Sequence, residues 1–319
     1  MLFRSLAGVV RFILGRNRFL KKYLLFIISV YFLQRNLFKE LGFSGGIWYN
    51  LILNKLYLLK HLKKKNYNVL KFCEVKKTRK SDRVFIFGCG RSLNDLLPEE
   101  WSKFSHDDTL GFSAFVYQKW IPIRYHLLRG WGEGANITYD HHHAGKNFSS
   151  ITFQESFFKE TIFLLQDEYQ AHFCNALVRY SYLPNQSKIL FYKTAFPSEL
   201  TADFSLGLVH KISILSDAIS FAYCMGWREI VLVGVDLYNS GYFWLNEGET
   251  ICNDYATGRH IISEITDRGC KFNEPHSTVY NGIVELLRGW ERKFKNEGVS
   301  LTVYNPKSLL SSVLRIYDR

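Results

Sequence analysis

The sequence predicts an α/β fold with a mostly parallel sheet, and three observations predict it. From residue 83 onward, short runs rich in Val, Ile, Leu and Phe recur between polar stretches of helical periodicity. Several of these runs are apolar throughout rather than alternating, as strands buried on both faces must be. The first run, Val84-Phe85-Ile86-Phe87, ends in Gly88-Cys89-Gly90 and passes into Arg91-Ser92-Leu93. That is the strand, turn and helix start of a single Rossmann-like domain.

The N-terminal stretch differs in character from the rest. Residues 1–80 hold 18 Lys and Arg against 2 Asp and Glu, a net of +16, whereas the whole chain carries +12. Subtraction leaves 23 basic and 27 acidic residues in 81–319, a net of −4. The apolar run 23–33 is bracketed by Lys21, Lys22 and Arg35, and it is too short to span a bilayer. Basic residues continue well past it without a small-residue cleavage site, which argues against a signal peptide. Residues 47–62 repeat the theme before Lys63-Lys64-Lys65. Basic amphipathic helices of this kind suit an anionic membrane surface. The extension is therefore expected over 1–80, holding the protein as a peripheral component at the cytoplasmic face of the inner membrane. Packing of these helices on the body is the plainer alternative. Nucleic acid is not expected as a partner, because Leu, Ile and Phe fill the spaces between the cations.

Strands are expected over 84–87, 109–113, 124–128, 161–165, 188–192, 229–233 and 300–304. Helices are expected over 98–104, 154–159, 214–225 and 278–296. Residues 130–150 contain His141-His142-His143 and read as an exposed polar loop. Residues 239–275 are rich in Gly, Asn, Asp and aromatic residues and read as a lid. The six cysteines show no metal-ligand spacing, so they are expected as reduced thiols with no zinc site.

Three places carry candidate chemistry. If the segment from Ser92 is helical, its N–H groups face the turn at Gly88 and Gly90, which suits a phosphate; alternatively the glycines serve only to turn the chain. The run 229–233 leads through Gly234 and Val235 into Asp236-Leu237-Tyr238, placing a carboxylate and a phenol where parallel sheets bind ligands. Pro275-His276-Ser277 precedes an amphipathic helix, and an imidazole there titrates in the range that proton transfer needs.

Taken together, these stretches resemble the bacterial sialyltransferases of glycosyltransferase family 42, which use CMP-sialic acid. The resemblance rests on Phe87-Gly88-x-Gly90-x-Ser92-Leu93, on His210-Lys211-Ile212-Ser213 followed by Gly226-Trp227-Arg228-Glu229-Ile230 and Gly234-Val235-Asp236-Leu237-Tyr238, and on Pro275-His276-Ser277 followed by Asn305-Pro306-Lys307-Ser308. It covers roughly 83–315 and leaves the extension outside.

The resemblance implies a GT-A-like sialyltransferase domain over 81–319 with an inverting transfer to a surface-glycan or lipid-linked acceptor. Gly88, Cys89, Gly90, Ser92, Ser113, Lys211, Ser213, Asp236 and Ser308 would bind the CMP-activated donor. Tyr238 and Tyr242 would hydrogen-bond the departing phosphate, and His276 would be the general base. No cofactor is implied, although a divalent cation is compatible, as is a homo-oligomer. Cys89 and Ser113 replace asparagines usual in the family, and Arg129 or Trp131 falls where a third is expected. These departures leave room for a related nonulosonic acid as donor. Two other classes remain: an NAD- or S-adenosylmethionine-dependent Rossmann enzyme, although Leu93 stands where a third glycine belongs, and a non-catalytic membrane adaptor with a degenerate transferase fold.

Overall fold

The computed structural model describes residues 62, 64, 66–129, 158–167, 183–195, 199–238, 241–245, 250–254, 258–262 and 275–318. The chain divides into two compact units, Met1–Leu56 and Tyr57–Arg319. Every described residue belongs to the second, so the predicted membrane helices lie outside the described residues up to residue 61.

The second unit is α/β and Rossmann-like. Its strands are β1 (Asn68–Val69), β2 (Arg83–Phe87), β3 (Asp108–Phe112), β4 (Tyr125–Leu128), β5 (Ile162–Gln166), β6 (Lys188–Tyr192), β7 (Thr194–Ala195), β8 (Leu208–Val209), β9 (Glu229–Val233), β10 (Thr250–Asp254), β11 (Gly258–Ile262), β12 (Ser300–Val303) and β13 (Arg315–Ile316). Nine of them form one sheet in the order β1-β6-β5-β4-β3-β2-β9-β12-β13, and every pairing in it is parallel. The order runs outward from β2 through β3 to β6 on one side and from β9 on the other. The topological switch therefore falls between β2 and β9, the place where such sheets open to ligands.

The strands form where the sequence supplies apolar residues for both faces. Along β2, Val84 and Ile86 pack into one core with Leu110, Tyr125 and Leu127, while Phe85 and Phe87 pack into a second with Phe104 and Phe115. This is the two-residue alternation of a pleated strand with both faces covered. Helix α1 (Phe72–Lys76), α2 (Pro98–Phe104), α3 (Ile214–Met225), α4 (Ser277–Tyr280) and α5 (Ile283–Asn296) cover the faces. In α5 the buried residues are Ile283, Leu287, Trp290 and Phe294, an i, i+4, i+7, i+11 stripe that seats one side on the first core.

Four expectations need correction. The globular unit does not begin at residue 81: β1 pairs with β6, Val75 of α1 is fully buried, and Asp108 accepts from the amides of Lys80 and Ser81 and from the Trp227 indole. Interspersed lysines hid these short elements. The helix expected over 278–296 is two helices, because Gly282 takes a left-handed conformation with φ of 90°. After the first turn the chain forms a short 3-10 helix, Arg91–Asp95, rather than an α-helix. Ser113, at the end of the second expected strand, has φ of 53° and leaves the strand. The histidine run and most of the helix expected over 154–159 lie outside the described residues. Within the segment read as a lid, residues 241–245 and the antiparallel hairpin β10–β11 are described.

Candidate functional site

Four groups of predicted residues meet at the C-terminal edge of β2 and β9. The turn after β2 lies against the chain leaving β9, with the Gly88 amide donating to Val233 O at 2.8 Å and the Gly90 amide to Gly234 O at 2.7 Å. A side chain is excluded at both glycines: a Cβ on Gly88 would stand 2.5 Å from Gly234 O, and one on Gly90 would meet the Asp236 carboxylate and lie 2.7 Å from Gly234 O. The glycines are thus required by close approach to a neighbouring strand.

The anion in this turn is the protein's own. Asp236 Oδ2 accepts from the Ser92 amide at 3.0 Å, and Oδ1 accepts from the Ser92 hydroxyl at 2.5 Å and from Asn305 Nδ2 at 3.1 Å. The Gly88, Gly90 and Ser92 donors expected at a phosphate are therefore engaged inside the protein. The five-residue 3-10 helix that follows offers little of the aligned dipole a longer α-helix would. Ser308 is corrected as well: it is 2 % exposed, and its hydroxyl donates to Val235 O and accepts from the Leu310 amide. It caps a turn and has no surface to offer a ligand.

Three other predicted residues are carried to this edge by backbone pairing. Tyr242 pairs with Gly90 and Tyr238 with Pro275 as isolated bridges. The His276 amide donates to Leu237 O at 2.8 Å. Tyr238 and His276 are therefore held on adjacent strands of backbone, and Tyr242 is fixed against the glycine turn. Its ring stacks on Trp244 at 4.5 Å between centroids. Cys89 Sγ lies 3.6 Å from Phe112 O, beside Ser113 at the end of β3, so these two departures from the family pattern are neighbours in space.

His276 has a defined hydrogen-bonding state. Its Nδ1 accepts from the Thr278 amide at 3.2 Å, capping α4, and lies 2.9 Å from Thr278 Oγ1. Partial burial lowers its pKa, favouring the neutral ring. A neutral ring with Nδ1 accepting carries its proton on Nε2. In this state His276 is a hydrogen-bond donor at Nε2, and the general-base role expected of it would need that proton moved.

Lys211 and Ser213 lie on the loop that enters α3. Ser213 is the N-cap residue of α3 but makes no side-chain cap, and the Ser216 hydroxyl instead bonds the Lys211 and Ser213 backbone. This loop also holds a group that sequence reasoning missed. Asp217, fully buried in α3, pairs with His210 Nδ1 at 2.5 Å and with Arg129 Nη1 at 3.3 Å. Burial drives the Asp217 pKa up, opposed by His210 and Arg129.

Strain gathers at the same edge. Among the described residues five non-glycine residues have positive φ, and three of them, Ser113, Ile212 and Leu237, follow β3, precede α3 and follow β9. The left-handed region is costly for a β-branched residue such as Ile212, and such strain collects where function over-determines the backbone. Among the described residues no group of three or more His, Cys, Asp or Glu could hold a metal ion, and no helix is long and apolar enough to cross a membrane. Compared with protein-family models the chain matches none, and it matches no curated protein.

Proposed function

We propose that this protein is an inverting glycosyltransferase that moves sialic acid or a related nonulosonic acid from a CMP-activated donor to a hydroxyl of a surface-glycan or lipid-linked acceptor. The observation that carries this reading is the meeting of Tyr238, Tyr242 and His276 at the switch point between β2 and β9, beside backbone strained at Leu237. The motifs shared with sialyltransferases of family 42 supply the substrate class.

Loss of CMP from a 2-keto sugar builds negative charge on the departing phosphate. Tyrosine hydroxyls, the Nε2–H of His276 and the Lys211 ammonium are donors of the kind that lower such a barrier. The glycine turn acts by holding Asp236 and the chain after β9 in place. The 239–275 segment, carrying Tyr242 and the β10–β11 hairpin, closes over the donor and keeps water from it. Side-chain donors are enough to meet the phosphate charge, and a divalent cation is compatible with the scheme. The basic stretch before residue 57 holds the enzyme peripherally on an anionic membrane, where glycan acceptors are assembled.

The test is a panel of nucleotide sugars incubated with the full chain, read as donor hydrolysis and transfer. CMP-linked nonulosonic acids are expected to be consumed and UDP- and GDP-sugars left intact. Thermal stabilisation by NAD or S-adenosylmethionine, with none by CMP, would overturn the reading.

A further inference from the structure

The turn that carries His276 also carries an aromatic ring with nothing packed on it. Tyr280, the last residue of α4, is 73 % exposed, and it is the one aromatic among the large apolar side chains left exposed in the described residues. Neither its ring nor its hydroxyl has a stacking or hydrogen-bond partner among the described residues. The left-handed Gly282 stops α4 after one turn, so Tyr280 stands at the corner between α4 and α5.

Its neighbours give the ring a setting. His276 is the N-cap of α4 and Tyr280 lies four residues on, so the two stand on one side of a single turn. A helical side chain covers the turn N-terminal to its own Cα, and for Tyr280 that is the turn His276 caps. The loop entering α3 adds a second apolar group. There the Ser213 amide donates to Lys211 O at 2.6 Å, the span of a γ-turn. Ile212 between them has φ of 68°, the region of the rare, strained form of that turn. The strained residue is left 36 % exposed, and a Cβ on Gly282 would lie 3.9 Å from its Cδ1. Ile212 and Tyr280 therefore flank the same corner. Ser277 and Asn281 are exposed beside them, and their side chains make no hydrogen bond among the described residues.

A pyranose ring presents C–H groups on one face and hydroxyls around its rim. A flat aromatic face with a hydroxyl and a carboxamide beside it matches that division, and tyrosine offers the contact area while fixing only two torsions. An acyl chain would suit Ile212 and Tyr280 but would leave Ser277 and Asn281 without partners in an apolar phase. None of the four carries charge, so an anionic ligand finds no counter-ion among them. We infer that Tyr280, flanked by Ile212, is the stacking platform for a hexopyranose ring of the acceptor, with Ser277 and Asn281 hydrogen-bonding its hydroxyls. The inference rests on the transferase reading, which calls for an acceptor but gives it no seat. A sugar seated there lies one helical turn from His276.

The experiment uses the full-length protein and the methyl glycosides of glucose, galactose, mannose and N-acetylglucosamine. Binding is read by titration NMR, and the same glycosides serve as acceptors with a CMP-nonulosonate donor. Tyr280→Ala is expected to weaken binding of the preferred glycoside and raise its KM about 5–30-fold, with kcat changed less than about twofold. Tyr280→Phe and Tyr280→Trp keep a ring and are expected to stay close to the wild type. The side chain is exposed, so Tyr280→Ala is expected to melt with the wild type. Unchanged binding and KM in Tyr280→Ala would overturn the platform alone, as would a wild type that binds none of the four glycosides. A loss confined to binding of anionic vesicles would make the ring a membrane contact and overturn it too. A wild type that binds a glycoside through Tyr280 yet consumes no CMP donor would overturn the transferase reading and leave the sugar platform standing.

Discussion

The Asp236 carboxylate fills the turn after β2, with Oδ2 3.0 Å from the Ser92 amide nitrogen and Oδ1 2.5 Å from the Ser92 hydroxyl. A carboxylate this enclosed is part of the structure, and removing it leaves the Ser92 amide and Asn305 without an acceptor. Asp236→Ala is expected to destabilise the protein by about 2–4 kcal/mol, at about 1–3 kcal/mol per buried group left unpaired. Gly90→Ala presses a methyl group onto the same carboxylate and is expected to cost about 1–3 kcal/mol. Urea unfolding followed by circular dichroism measures both, and an unchanged midpoint for Asp236→Ala would refute the account of the turn.

His276 both caps a helix and presents a ring, and the two roles separate by substitution. Asparagine is among the best N-caps, so His276→Asn is expected to shift stability by less than about 1 kcal/mol. The ring is lost, and transfer is expected to fall about 10²–10³-fold, as when a donor to a developing charge is removed. Steady-state kinetics alongside a melting curve checks the pair of outcomes.

His126 makes the folded state sensitive to acid. It is completely buried on β4, its Nε2 lies 3.1 Å from Ser113 O, and burial lowers its pKa from 6.5 to about 4. The unfolded chain takes up the proton first, so stability from this group is intact above pH 6.5 and declines as pH falls toward 4. At 1.36 kcal/mol per pH unit the decline is about 3 kcal/mol across that window. His126→Gln is expected to remove this component, and denaturant unfolding of both proteins from pH 7 to pH 4 reads the difference.

The division of the chain between Leu56 and Tyr57 gives a cutting point. Deleting residues 1–56 is expected to leave a folded body that no longer binds anionic vesicles, and that binding by the full chain weakens with salt. Deleting 1–80 removes β1 and buried Val75 and is expected to lower the melting temperature or abolish folding. Vesicle sedimentation and calorimetry of the two truncations decide it.

The strands were legible in the sequence because each is an apolar run that a two-faced burial requires. Lys188–Tyr192 and Glu229–Val233 form as expected, and the others shift by one residue at one or both ends. What escaped has physical reasons. Strands β1 and β13 are two-residue edge pairings without apolar content enough to announce themselves. Gly282 sits inside a helical period, where pattern alone does not reveal a left-handed turn. The glycines at 88 and 90 were visible, but whether they faced a ligand or a strand depended on Gly234 and Asp236, about 145 residues away. Arg129 and Asp217 are likewise brought together only by the sheet, so neither position signals the other.

Asp108 has one more consequence. Its carboxylate holds the Lys80 and Ser81 amides and the Trp227 indole, just after β1 has joined β6 along parallel strands. Tension applied through the chain before residue 66 therefore meets a sheared strand pair and then a buried latch before it reaches β2. A protein tugged from its basic end would yield at the far margin of the sheet first, leaving β9, which leads into Asp236 and Tyr238, undisturbed.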